Sequence, residues 1–312
     1  MRKIVCLIGF FSFVLFSCKS NYTKIGDKNA NYIPYYLKVN EADSLHIVGN
    51  YKQSYEILDS LFERYEPINQ ESYIEYITFM KNKIILNNFK NIDKILKKSI
   101  KVYGYKPEYC AKDSLIQIAV KKSKFDEKDL NRFYDTYIKK LNLSYRYAIN
   151  DMIENDQRVR LAEPIKKEEL ERVDKENAEN IKFLIKKYGY PSIKKVGRYS
   201  FNDKKSNVNI LFLHANKEAR ENYVLDLMLQ SVKKGECEPS DFATVYDKYL
   251  LVTDKYRGKV LYGELRSLKS SIYTQVVYPE KVDSIRKSVG LEHFEYKRWK
   301  IKKKTGIDIN NY

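Results

Sequence analysis

Asp156, Gln157, Arg160, Asp174, Asn177 and His214 are the residues of this chain whose types and spacing could do chemistry, with Asp247 and Tyr262 further along. A histidine beside a carboxylate moves protons near neutral pH. An arginine in the same place could hold a carboxylate or a phosphate. Asp174 and Asn177 stand three apart, so on a helix they are neighbours on one face. Two readings stand side by side. In one, His214 works with Asp156 or Asp174 in a ligand or catalytic pocket, and Gln157, Arg160, Asn177, Asp247 and Tyr262 complete its polar lining. In the other, the same residues form a buried polar network that locks helix packing.

Other chemistries have thinner support. There is no Gly-x-Ser-x-Gly elbow for a serine nucleophile and no glycine-rich phosphate loop. His214 and Glu218 are four apart, which suits two metal ligands, but a catalytic zinc usually takes three from the protein, and neither His46 nor His293 carries a companion motif. No metal and no cofactor is implied.

The elements that must position these residues read as helices. Only 11 Gly and 7 Pro in 312 residues favour long helices over turn-rich strands. Glu168–Lys187 carries Leu170, Val173, Asn177, Ile181, Leu184 and Ile185 on one face, and Gly189 with Pro191 stops it. Leu130 to Met152 reads as one long amphipathic helix running into Asp156, interrupted at Glu163-Pro164. Asn207 to Val232 reads as another, with His214 on its apolar face, and Phe242 to Leu250 as a third. The runs Lys259–Leu265 and Ser271–Val277 are β-like and predict a small hairpin.

Towards the N-terminus, Gly49 to Pro67 resembles the second half of a tetratricopeptide repeat. Tyr51, Ser54, Tyr55, Leu58 and Leu61 fall at helical spacing. A poorer copy follows, with helices over Tyr73–Leu86 and Ile92–Val102. The segment reads either as a concave peptide-binding surface or as a structural spacer. Gly104 to Pro107 breaks the pattern.

The first residues speak of location. Arg2 and Lys3 precede an apolar run, Ile4–Phe16, which is short for a membrane span of roughly 20 residues. Leu15-Phe16-Ser17-Cys18 resembles a bacterial lipobox, which implies cleavage before Cys18, acylation of its thiol and amine, and attachment to the membrane. Lys19 follows where an inner-membrane protein would carry Asp, so an outer-membrane, periplasm-facing position is expected. Cys110 and Cys237 are then either a disulfide or two buried thiols. The formal charge of +17 comes from scattered lysines; it reads either as compositional bias or as attraction to an anionic partner. The Tyr296–Lys304 segment, with six basic residues in nine, reads as a solvated tail or as a lipid-docking one. The expected compartment and the lack of any recognition motif argue against nucleic acid.

The order Asp156-Gln157…Arg160, Asp174…Asn177, Tyr188-Gly189-Tyr190-Pro191, Gly197, His214-Ala215, Gly235, Ala243 with Asp247, Tyr262-Gly263, Asp283 with Arg286 and Gly290-Leu291 is similar to a bacterial domain-of-unknown-function family found in secreted proteins and lipoproteins of the Bacteroidetes. The resemblance covers about residues 130 to 297. It departs at Lys248, where members carry Arg, and at Glu264, where they carry Thr. The family implies no activity of its own.

The expected protein is therefore mainly α. It comprises a signal peptide (1–17), a flexible tether (18–32), tetratricopeptide-like hairpins (33–123), a helical domain with a small β-hairpin (124–297) and a basic tail (298–312). The favoured function is an envelope lipoprotein that binds a protein partner through residues 33–123. The alternative is an envelope enzyme, hydrolytic in character, using His214 with Asp156 or Asp174.

Overall fold

The structure, a computed structural model, describes residues 22–201, 206–265 and 275–306. The signal peptide, Cys18, most of the run 271–277 and the end of the chain lie outside the described residues. The protein is mainly α. Helices α1 (Ile33–Ile47), α2 (Tyr51–Arg64), α3 (Glu75–Ile85) and α4 (Ile92–Lys101) form the N-terminal hairpins, followed by α5 (Pro107–Lys112), α6 (Ser114–Ser123) and α7 (Glu127–Ile138). Then come α8 (Leu143–Arg160), α9 (Lys167–Tyr188), α10 (Ile193–Val196), α11 (Asn209–His214), α12 (Lys217–Ala219), α13 (Leu225–Lys233) and α14 (Pro239–Leu251). Strands β1 (Lys259–Val260) and β2 (Gln275–Val276) precede α15 (Val282–Ser288) and α16 (Phe294–Thr305).

The α1–α2 turn follows the repeat logic. Gly49 takes a left-handed φ of 83°, and the Asn50 side chain caps α2 by accepting the Gln53 amide. Ser54, small and fully buried, lets α2 close on its neighbours. Its Oγ donates to the Ala42 carbonyl at 2.7 Å and accepts from Asn82 Nδ2 at 2.8 Å, so three helices share one hydroxyl.

Two large apolar clusters hold the chain, beside a small third one of Tyr137, Leu141 and Phe201. The smaller joins Ile77, Met80 and Ile84 of α3 and Leu96 of α4 to Ile116 of α6 and Leu130 and Phe133 of α7. Each such side chain, fully buried, contributes about 1.5–3 kcal/mol. The larger cluster runs from Tyr32 to Leu291. Tyr36 of α1 donates its hydroxyl to the Cys237 carbonyl at 2.9 Å, and Asn40 donates to the Gly290 carbonyl at 3.2 Å. Both clusters therefore cross residue 123, the expected boundary between the repeat-like region and the following domain. Cys110 and Cys237 are both buried and unpaired.

Several expectations need correction. The long helix predicted from Leu130 breaks after Ile138, and Asn142 caps a new helix by accepting the Tyr145 amide at 3.0 Å. The helix predicted over Asn207–Val232 ends at His214; Asn216 recaps it, and a turn of π-helix covers Arg220–Val224. The expected hairpin is a parallel pair, Lys259↔Gln275 and Val260↔Val276. The reason is visible after Val260: the next amides turn to a side-chain carboxylate instead of a neighbouring strand. The tether, expected to be flexible through residue 32, is bound to the body from Thr23, which bridges to Tyr65, and Gly26 N–H donates to the Lys234 carbonyl at 2.9 Å. The basic segment is helical from Phe294 to Thr305, and Lys300 reaches Asp43 at 2.6 Å. Among the described residues no helix is long and apolar enough to cross a membrane.

Candidate functional site

Helix α8 supplies Asp156, Gln157 and Arg160 from its last turn. The Asp156 carboxylate is the hub. It accepts Gln157 Nε2 at 2.7 Å and Arg160 Nε at 3.2 Å, and His214 Nδ1 lies 3.0 Å from one oxygen and 2.9 Å from the other. Arg160 extends its other arm to Asp174 on α9, bridging the two acids. Asp156 is only 1% exposed, whereas the His214 side chain is 23% exposed, so the acid is sealed beneath a ring that is itself partly open to solvent.

Electrostatics fix the roles. Burial pushes the Asp156 carboxyl up, but the hydrogen bond and charge of His214 and the Arg160 guanidinium outweigh it and hold the group below its usual range. An ionised Asp156 accepts only, so His214 Nδ1 carries the hydrogen and donates. In the neutral form of the ring Nε2 is then the lone pair, and it has no hydrogen-bond partner among the described residues. Asp174 differs: its carboxyl is pushed up by burial, against the pull of Arg160. It makes no hydrogen bond to His214, so of the two candidate acids Asp156 is the partner. No Ser, Thr or Cys is hydrogen-bonded to His214 among the described residues. The pair is thus arranged to take a proton from water or from a bound hydroxyl rather than from a protein nucleophile.

The surrounding framework is built from buried arginine. Arg146, nearly three turns before Asp156 on α8, is 1% exposed. It donates to the carbonyls of Val196, Arg198 and Tyr199 at 2.9, 2.9 and 3.2 Å, fixing the segment that leads towards α11. Asn177, buried as its place in the apolar stripe of α9 predicts, donates Nδ2 to the Met152 carbonyl at 3.4 Å and braces α9 against α8 without touching His214.

Two expected members belong elsewhere. Asp247 is fully buried on α14, and its carboxylate collects the amides of Leu261 and Tyr262, both at 2.8 Å, of Glu264 at 2.7 Å and of Leu265 at 3.3 Å. Tyr262 packs its ring on Phe242 and Tyr246, and its carbonyl accepts Arg286 Nη1 at 2.5 Å. Both shape the loop after β1 rather than the His214 pocket. Glu264 pairs with the fully buried Arg286 at 2.9 Å. His214 and Glu218 lose their helical spacing to the break at Ala215. Among the described residues no three His, Cys, Asp or Glu side chains are placed to share a metal ion.

Sequence reasoning passed over three groups. Arg220 opens the π-helical turn and donates Nη1 to the carbonyl of Leu213, next to His214 in the chain, and Lys248 follows Asp247 on α14 within reach of the charges of Arg220 and Arg160. The third is a carboxyl pair at the start of α14. Glu238 is buried and accepts the Glu71 amide at 2.5 Å and the Ser72 hydroxyl at 2.7 Å, while Asp241 accepts the Tyr199 hydroxyl at 2.6 Å. Burial, then the charge of Asp241, pushes Glu238 up to about 8; burial pushes Asp241 up to about 6 despite the Tyr199 hydrogen bond. Pro239 at the first helical position was the available signal that α14 starts here, with Glu238 at its N-cap position, although the Glu238 side chain turns to Glu71 and Ser72 instead of capping the helix.

No family model matches the chain, and no curated protein or solved structure matches it either.

Proposed function

We propose that this protein is a lipid-anchored, periplasm-facing component of a bacterial outer membrane whose helical body carries an acid–base site centred on His214. The lipobox-like Leu15-Phe16-Ser17-Cys18 supports the anchoring. The observation that carries the acid–base reading is the sealed Asp156 carboxylate against Nδ1 of a histidine ring that remains partly exposed. A network serving only to lock helices has no need of a partly exposed imidazole. The reaction fits hydrolysis, with the neutral ring taking a proton on Nε2 from water as that water attacks a substrate bound beside it.

The test is complementation of a deletion strain at matched expression. His214→Gln keeps a ring-sized polar side chain, and its melting temperature should stay within about 3 °C of the parent. It should nevertheless fail to complement. Full complementation by a folded His214→Gln protein would sink the acid–base reading and leave the network a packing device.

A scaffold reading has one observation in its favour. Helices α5, α6 and α7 line a groove of about 610 Å³ that includes Cys110, Ile118, Val120 and Leu130 and is rimmed by Glu108, Lys121 and Glu127. It lies partly in the region expected to bind an envelope protein. Ile118→Asp should abolish crosslinks to a partner without altering the His214 site.

A further inference from the structure

The charges around His214 do not balance. Arg160 is shared between Asp156 and Asp174, and the Asp174 charge also acts on Arg220, so the two acids serve two guanidinium groups. Arg220, only 7% exposed, donates Nη1 to the Leu213 carbonyl at 2.8 Å, and its Nε is buried without a hydrogen-bond partner among the described residues. Lys248 is half-buried and has neither an ion pair nor a hydrogen bond among the described residues. Burial, then the positive charges of Arg220 and Arg160, push its ammonium group down, and no carboxylate offsets them. The nearest acid in sequence, Asp247, already serves four amides. Glu221 is taken by the Tyr249 hydroxyl at 2.6 Å. Three side-chain cations thus stand against two carboxylates where α8, α9, α11 and α14 meet, and α11 packs on all three of the others. The π-helical turn that places Arg220 is itself a form that recurs at functional sites.

We propose that the site takes a phosphoryl group, with the Lys248 ammonium as its direct charge partner, Arg220 adding to the field, and His214 Nε2 facing it. The proposal rests on the acid–base reading only for the part given to Nε2. A carboxylate ligand would look for a planar guanidinium fork, but the Arg160 fork is occupied by the protein's own acids. What remains is an ammonium point charge and an imidazole edge, which suit a tetrahedral oxyanion carrying about −1.5 to −2. The phosphoryl group comes either from a soluble monoester or from a lipid headgroup.

Calorimetry on the full-length protein in detergent, titrated with inorganic phosphate, tests this. Saturable binding is expected, and Lys248→Met should weaken it by about tenfold or more. The same variant should melt at or above the parent temperature without phosphate, because an unpaired, half-buried cation has been removed; a merely structural lysine would give a lower one. The proposal falls if phosphate does not bind, if Lys248→Met binds it unchanged, or if acetate binds as tightly. Glycerol phosphate against a short-chain phosphatidic acid assigns the source: equal affinity points to the soluble monoester, tighter lipid binding to the headgroup. The two proposals fail separately. A complementing His214→Gln beside a phosphate-blind Lys248→Met removes the acid–base reading and keeps the anion site. The reverse pattern keeps the base and removes the anion site.

Discussion

Asp247→Ala is expected to lower stability by about 5 kcal/mol and the melting temperature by roughly 10–20 °C, while leaving the geometry around His214 intact where the variant folds. The size follows from what the carboxylate does. Four backbone N–H groups, those of Leu261, Tyr262, Glu264 and Leu265, converge on its two oxygens. Alanine removes the acceptor and leaves amides in a site that is closed to water at Asp247 itself. Each unsatisfied buried donor costs about 1–3 kcal/mol. Burial pushes the Asp247 carboxyl up, and the four amides only partly offset that. Asp247→Asn should therefore lose less, because one amide oxygen still accepts. Thermal melting of both variants checks this; equal small losses for the two would mean that the loop after β1 holds itself without the carboxylate.

The second large effect is on pH dependence. Glu238 and Asp241 have folded-state values above those of an unfolded chain, about 8 and about 6 against 4.5 and 3.8. The folded protein then binds more protons than the unfolded chain across this window, so stability falls as pH rises between roughly 4.5 and 8. The slope reaches at most about 1.4 kcal/mol per pH unit for each group. A loss of about 2–4 kcal/mol between pH 5 and 8 is expected, read as a melting temperature lower by roughly 5–10 °C. Glu71 and Glu264 are further acids that act on the pair, and Glu71 is itself held by Arg198 at 2.9 Å. Glu238→Gln keeps an acceptor for the Glu71 amide and cannot ionise, so it should flatten the profile. Parallel profiles for parent and variant would refute the assignment. Asp156 has the opposite sign: its lowered value contributes stability above about pH 4 that is lost on acidification, so the two limbs are separable.

Much of the site was legible because it is local or periodic. Asp156, Gln157 and Arg160 lie within one turn, and the 3.6-residue pattern of α9 correctly buries Asn177. His214 was placed inward by its apolar neighbours, and α11 does face α8, α9 and α14. The failures share a cause: they depend on chain-distant geometry. A buried aspartate on α14 can face a histidine or a loop, and nothing in the spacing of Asp247 says which. Alternation marks strands at 259–260 and 275–276 but carries no information on their relative direction. Lys248 and Arg220 were lost in a background of 58 basic residues. Arg146, buried against carbonyls, and Arg286, buried against carbonyls and a glutamate, look in the sequence like surface arginines. The helix breaks were readable in retrospect, because Asn142 and Asn216 are both capping residues.

The early attachment of the chain has a consequence for where the molecule can work. Thr23 is already stitched to Tyr65, and Gly26 to Lys234. On the reading that Cys18 carries the acyl chains, the leash between lipid and body is five residues, a stand-off of at most about 18 Å. So short a leash keeps the body against the bilayer and limits how far it can swivel. Anything His214 acts on must then come to the membrane, and grafting a longer leash between Cys18 and Thr23 would be a direct way to ask whether that closeness matters.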